Sequence, residues 1–113
     1  MQMSHPAYKI IDSAKADLEE WANIHQIPIH RYEFVAVFES WSDSHSLWIF
    51  YPTNKDLEKL NKNGTSEKIK QCYQQALEAR NFPFSEFPKV GFEFDSDENV
   101  RRNYAGNYFY RLR

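Results

Sequence analysis

Only one cysteine and three glycines occur in this chain of 113 residues, and each scarcity removes a class of protein. With Cys72 alone, no intrachain disulfide can form and no cysteine-rich zinc site can be assembled. Glycines at 64, 91 and 106 stand too far apart to build a phosphate-cradling loop. No apolar run approaches the roughly 18 residues that cross a bilayer, and the opening Met1-Gln2-Met3-Ser4-His5-Pro6 lacks the basic-then-apolar layout of a secretory signal. The expectation is a cytoplasmic chain without a membrane partner. Bases are also short: 14 Lys and Arg against 16 Asp and Glu argue against a domain held on nucleic acid mainly by phosphate contacts.

What is present is a core. Hydrophobic residues make up 42% of the chain and aromatic residues 17%, enough for one packed domain spanning 1–113 and too much for intrinsic disorder. Tyr8, Ile11, Leu18, Trp21, Ala22 and His25 recur at three- and four-residue spacing, which predicts an amphipathic helix from about Ala7 to His25. Arg31 to Glu39 and Ser46 to Tyr51 read as two strands joined by a polar hairpin tip. Asp56 to Leu60 predicts a short helix. Thr65 or Ser66 then caps a long one with Ile69, Cys72, Tyr73, Ala76 and Leu77 on its apolar face. Val90, Phe92 and Phe94 alternate with Gly91, Glu93 and Asp95 in a half-buried strand. Asp95 or Ser96 caps a short helix with Asp97 and Glu98 in its first turn, and Gly106-Asn107 leads into a last strand, Tyr108 to Arg113. The expected fold is α+β: an antiparallel sheet of about four strands with helices on one face, in the order α-β-β-α-α-β-α-β. Phe34, Phe38, Phe92, Phe94 and Tyr110 are expected to face the helices, and Glu33, Val35, Val37, Glu39, Glu93, Phe109 and Arg111 the other side.

Catalytic or metal-binding patterns are not evident. Asp95-Ser96-Asp97-Glu98-Asn99 begins like a calcium loop, but Val100 stands where a glycine is needed and Gly106 where a bidentate Glu is needed. His5, His25, His30 and His45 do not form an i, i+4 pair on one helical face and read as separate surface residues. Cys72, in the middle of an apolar stripe, reads as a core residue and not a nucleophile. No enzyme, metal or cofactor is expected. Charge is uneven along the chain instead. From Asp12 to Asp43 there are seven acids and two bases, and from Glu86 to Glu98 five acids and one base. The last fourteen residues carry Arg101, Arg102, Arg111 and Arg113 and no acid.

Val90-Gly91-Phe92-Glu93-Phe94-Asp95-Ser96-Asp97-Glu98-Asn99-Val100 and the terminal Gly106-Asn107-Tyr108-Phe109-Tyr110-Arg111-Leu112-Arg113 resemble small immunity proteins of bacterial polymorphic toxin systems. The likeness is to those of contact-dependent growth inhibition and to the YezG-like group, which also places a long helix before a hairpin of this kind. The resemblance implies a cytoplasmic, cofactor-free antitoxin that binds one cognate toxin domain, often a nuclease, and occludes it by protein–protein interaction. Acidic patches would meet a basic toxin surface, with Trp and Tyr anchors near the middle of the contact. The candidate partner-binding residues are Glu33, Glu39, Trp41, Asp43, Asp95, Asp97 and Glu98. The alternatives are an adaptor for an unrelated protein, or a nucleic-acid-binding module using the C-terminal arginines beside Tyr104, Tyr108 and Tyr110.

Overall fold

A computed structural model describes residues 6–39 and 42–112; the side chains of Pro6, residues 36–39 and 42–44, and Lys89 lie outside that description. Helix α1 spans Pro6–Ile24 and buries Ala7, Ile11, Ala14, Leu18 and Ala22, one stripe at three- and four-residue spacing. Trp21 and Gln26 end it: His25 N donates to the Trp21 carbonyl and Gln26 turns at φ 56°, before Pro28 is reached. Strands β1 (Arg31–Glu39) and β2 (Ser42–Tyr51) form an antiparallel hairpin, paired from Arg31 with Phe50 to Glu39 with Ser42. Helix α2 (Asn54–Lys62) and helix α3 (Thr65–Ala79) follow, then β3 (Lys89–Ser96), α4 (Asp97–Asn103) and α5 (Tyr108–Arg111).

The molecule is thus a mixed α+β domain, but two parts of the expected architecture are corrected. Among the described residues the sheet has three strands in the order β1-β2-β3, and β3 runs parallel to β2, not antiparallel. Helices α2 and α3 and the turn-containing segment 81–88, where Glu86 N and Phe87 N donate to the Pro83 carbonyl, return the chain to the starting end of β2 before β3 begins, the long crossover that a parallel pair requires. The expected fourth strand is helix α5. Its residues are aromatic and β-prone, yet Asn107 caps them as a helical turn by accepting from Tyr110 N at 3.1 Å. Positive φ at Ala105 (53°) and Gly106 (74°) turns the chain back over the sheet just before that cap.

Helices α1 and α3 cover one sheet face. Leu47, Ile49 and Tyr51 of the central strand are fully buried beneath them, flanked by Tyr32 and Phe34 of β1 and by Val90, Phe92 and Phe94 of β3. That face is as alternation predicted for Phe34, Phe92 and Phe94, whereas Tyr110 sits exposed on α5, far from it in the chain's layering. Phe38 has its side chain outside the described residues. Cys72 packs half-buried against the core, and burial pushes its thiol up, which disfavours the thiolate. Gly64, not Thr65 or Ser66, is the N-cap of α3; Ser66 is buried and shares hydrogen bonds with Tyr51 Oη (2.8 Å) and Asn61 Oδ1 (2.5 Å). His45 also departs from the surface reading. The second strand begins at Ser42, so His45 lies within it on the helix-facing side, 1% exposed, its Nε2 2.9 Å from Tyr73 Oη and its ring against Phe82.

Where β2 and β3 end side by side, each feeds a helix, and the two starts hold each other. Thr53 Oγ1 accepts from Asp56 N to cap α2, and Ser96 Oγ accepts from Asn99 N to cap α4. The Ser96 hydroxyl also donates to Asn54 Oδ1, Glu98 Oε1 accepts from Asn54 N at 2.9 Å, and Glu98 N donates to the Pro52 carbonyl. Ser96→Ala removes a cap and a cross-link at a fully buried position. It is expected to cost about 1–2 kcal/mol, read as a lower urea midpoint at unchanged slope.

Candidate partner-binding surface

The sheet face away from α1 and α3 carries Trp48 and Phe50 on β2, Arg31 and Glu33 on β1, and Glu93 and Asp95 on β3, because alternation sets these odd and even registers opposite the core. The C-terminal segment crosses one end of it. Tyr108 meets Phe50 edge-on at 4.7 Å, and Phe50 is stacked on Trp48. The Arg31 guanidinium lies 4.1 Å above the Tyr108 ring, and that of Arg111 lies 4.8 Å above Trp48 and 5.5 Å from Tyr104.

Charges lock this layer. Arg111 Nε donates to Asp95 Oδ2 at 2.5 Å, and Asn99 Nδ2 bonds the same carboxylate at 2.9 and 3.1 Å. Asp97 accepts from Tyr108 Oη at 2.5 Å and Arg101 Nε at 2.7 Å, with His30 Nε2 at 3.4 Å. The Tyr108 hydrogen bond leads the causes that hold the Asp97 carboxyl below its usual range, while burial and the Asp97 charge push the Tyr108 phenol up. Glu98 pairs with Arg102 at 2.9 Å, and Arg31 Nε reaches Glu33 at 2.5 Å. Asp95, Asp97 and Glu98 at the end of the acidic run are therefore neighbours in space of Arg111, Arg101 and Arg102, and each is paired with one of them.

This divides the seven candidate residues. Glu33, Asp95, Asp97 and Glu98 gather at the end of the sheet where β3 stops, each paired within the chain. Glu39 and Asp43 sit on the backbone at the opposite end, paired in register with Ser42 and Phe38; their side chains, and Trp41 altogether, lie outside the described residues. At ~3.3 Å per residue the two groups are about 20 Å apart along the strands. No group of three or more His, Cys, Asp and Glu among the described residues is placed to hold a metal ion.

Two exposed rings outside the seven partner-binding candidates stand out here. Phe109 is 67% exposed and Tyr110 54%, adjacent on a segment whose neighbours Tyr108 and Arg111 are clamped to the sheet. The available signal was Asn107 three residues before Tyr110, a helix cap that turns alternating aromatics into one inward and two outward rings. Comparison with protein-family models, with curated proteins and with solved structures returned no match. Among the described residues no helix is long and apolar enough to cross a membrane.

Proposed function

We propose that this domain is a non-catalytic immunity protein: a cytoplasmic, cofactor-free inhibitor that binds one cognate toxin domain, a nuclease in the first instance, and neutralises it by occlusion. The observation that carries this reading is the exposed Phe109–Tyr110 pair on a clamped mount. Aromatic side chains with few rotatable bonds lose little entropy on binding, and Tyr is enriched among residues that dominate protein–protein affinity. The resemblance of the C-terminal residues to immunity proteins supports the same assignment. Glu39, Trp41 and Asp43 at the hairpin end are assigned as direct contacts with a basic partner. Glu33, Asp95, Asp97 and Glu98 contribute through the mount that they hold, since meeting a toxin directly would require giving up an internal arginine. The same pairing weakens the nucleic-acid alternative, because Arg101, Arg102 and Arg111 already face carboxylates.

The test is calorimetric titration with the purified C-terminal domain encoded immediately upstream, at low and high salt. A one-to-one complex is expected, and Phe109→Ala/Tyr110→Ala should weaken it about 100-fold with the melting temperature kept. Absence of binding sinks the immunity reading; binding that ignores the double substitution sinks the assignment of the aromatic pair.

A further inference from the structure

β1 is an edge strand among the described residues: it pairs with β2 on one side, and the sheet order β1-β2-β3 places no further strand beyond it there. An edge of nine residues is long, and folded proteins blunt such edges with prolines, bulges, lysines or a covering element. Arg31-Tyr32-Glu33-Phe34-Val35-Ala36-Val37-Phe38-Glu39 contains no proline and no lysine. Its middle residue, Val35, is 40% exposed on the face opposite α1 and α3. The other edge, β3, is managed differently: Pro88 precedes it and its far end is tied down through Ser96 and Asp95.

The sequence of β1 is complementary to itself. We infer that β1 is a homodimer interface, at which two copies of this chain join their β1 edges antiparallel about a two-fold axis through Val35, making one continuous six-stranded sheet. The axis stands perpendicular to the sheet, so each face of one copy continues into the same face of the other, and residues pair only odd with odd and even with even. Centred on Val35, position 31 falls opposite position 39 of the second copy, 32 opposite 38, 33 opposite 37, and 34 opposite 36. Arg31 thus meets Glu39 twice, once at each end; Tyr32 meets Phe38, and Val35 meets Val35, with apolar residues across the centre.

No neighbouring register does this. An axis on Glu33 sets Glu33 against Glu33. An axis on Phe34 puts Arg31 opposite Val37, and one on Ala36 puts Glu33 opposite Glu39. An axis on Val37 leaves Arg31 beyond the end of the second strand. Only the Val35 axis joins opposite charges and avoids like ones, and register selection of this kind is what separates a defined dimer from general edge aggregation. The dimer is argued from β1 and the toxin contact from Phe109 and Tyr110, so the two stand on different observations; they share Glu39, which the dimer takes up, so at that residue dimer and toxin exclude each other.

Sedimentation of the full chain over about three decades of concentration tests this inference. The expected result is a reversible rise from 13.5 kDa to twice that mass. Arg31→Glu and Glu39→Arg should each raise the dimer dissociation constant about tenfold or more, since each creates two like-charge contacts. The double reversal Arg31→Glu/Glu39→Arg should restore it to within about threefold of the parent. The rescue separates a contact between copies from loss of the Arg31 contacts with Glu33 and Tyr108 inside one copy. A monomer at every concentration overturns the inference, as does a dimer that neither reversal weakens or that the double reversal fails to restore.

Discussion

Arg111→Ala is expected to destabilise the domain by about 3 kcal/mol, a fall in melting temperature of roughly 10–15 °C. Its guanidinium is the charge partner of Asp95, whose side chain is 8% exposed, and it also lies against Trp48 and Tyr104. Truncation leaves a carboxylate out of water with, among the described residues, Asn99 to satisfy it, and uncovers an indole. Such a loss exceeds that of a surface pair because the desolvation of Asp95 is no longer offset. The double variant Asp95→Asn/Arg111→Met should recover more than half of the loss, since it removes the stranded charge and keeps apolar cover on Trp48. Thermal unfolding of the two single variants and the double variant closes the cycle. A loss below about 1 kcal/mol for Arg111→Ala would mean that the C-terminal segment is not held by this pair.

Acid should weaken the fold already between pH 7 and pH 5. Burial against Tyr73 and Phe82 pushes the His45 imidazole down from 6.5 to about 4. The unfolded chain therefore takes up a proton near pH 6.5 that the folded chain refuses until about pH 4. Stability from this group is complete above pH 6.5, falls as the pH drops toward 4, and levels off below that value. Between pH 7 and pH 5 the loss is about 2 kcal/mol. Asp97, whose carboxyl is held low, adds its own loss only at more acid pH, as pH falls through its folded value. Urea unfolding at pH 7, 6 and 5 reads the slope directly. His45→Leu/Tyr73→Phe, which replaces the buried polar pair with apolar groups, should flatten it; an unchanged slope would assign the acid sensitivity elsewhere.

How much of this was legible differs by element. Ala7 to Ala22 and Ile69 to Leu77 announce their buried faces through spacing alone, because a helix repeats every 3.6 residues whatever surrounds it. Ser96 before Asp97 and Glu98 declared a helix start for a similarly local reason, an orphan amide needing a side-chain oxygen. Phe34, Phe92 and Phe94 were placed on the helix-facing side by alternation. His45 is not legible as buried because the polar residues Ser42 to Ser44 hide the first four residues of β2, and a buried histidine carries no local mark that separates it from an exposed one. Tyr108 to Arg111 was misread for a stronger reason: strand propensity of aromatic residues depends on a neighbouring strand, and here the neighbour is a sheet face already formed, on which a capped turn packs better.

By itself, then, the sequence determined the helices α1 to α4, the hairpin and the third strand, all consequences of period, capping and residue type within a few positions. Only the tertiary structure decided that β3 joins β2 in parallel and that the C-terminus packs as a helix across Trp48 and Phe50. It also decided that the acids at 95–98 are answered by Arg101, Arg102 and Arg111. Charge along a chain is a one-dimensional record, whereas its effect depends on distance in space. The turn at Ala105 and Gly106 brings Arg111 within 2.5 Å of Asp95 and converts two opposed charge runs into one clamp.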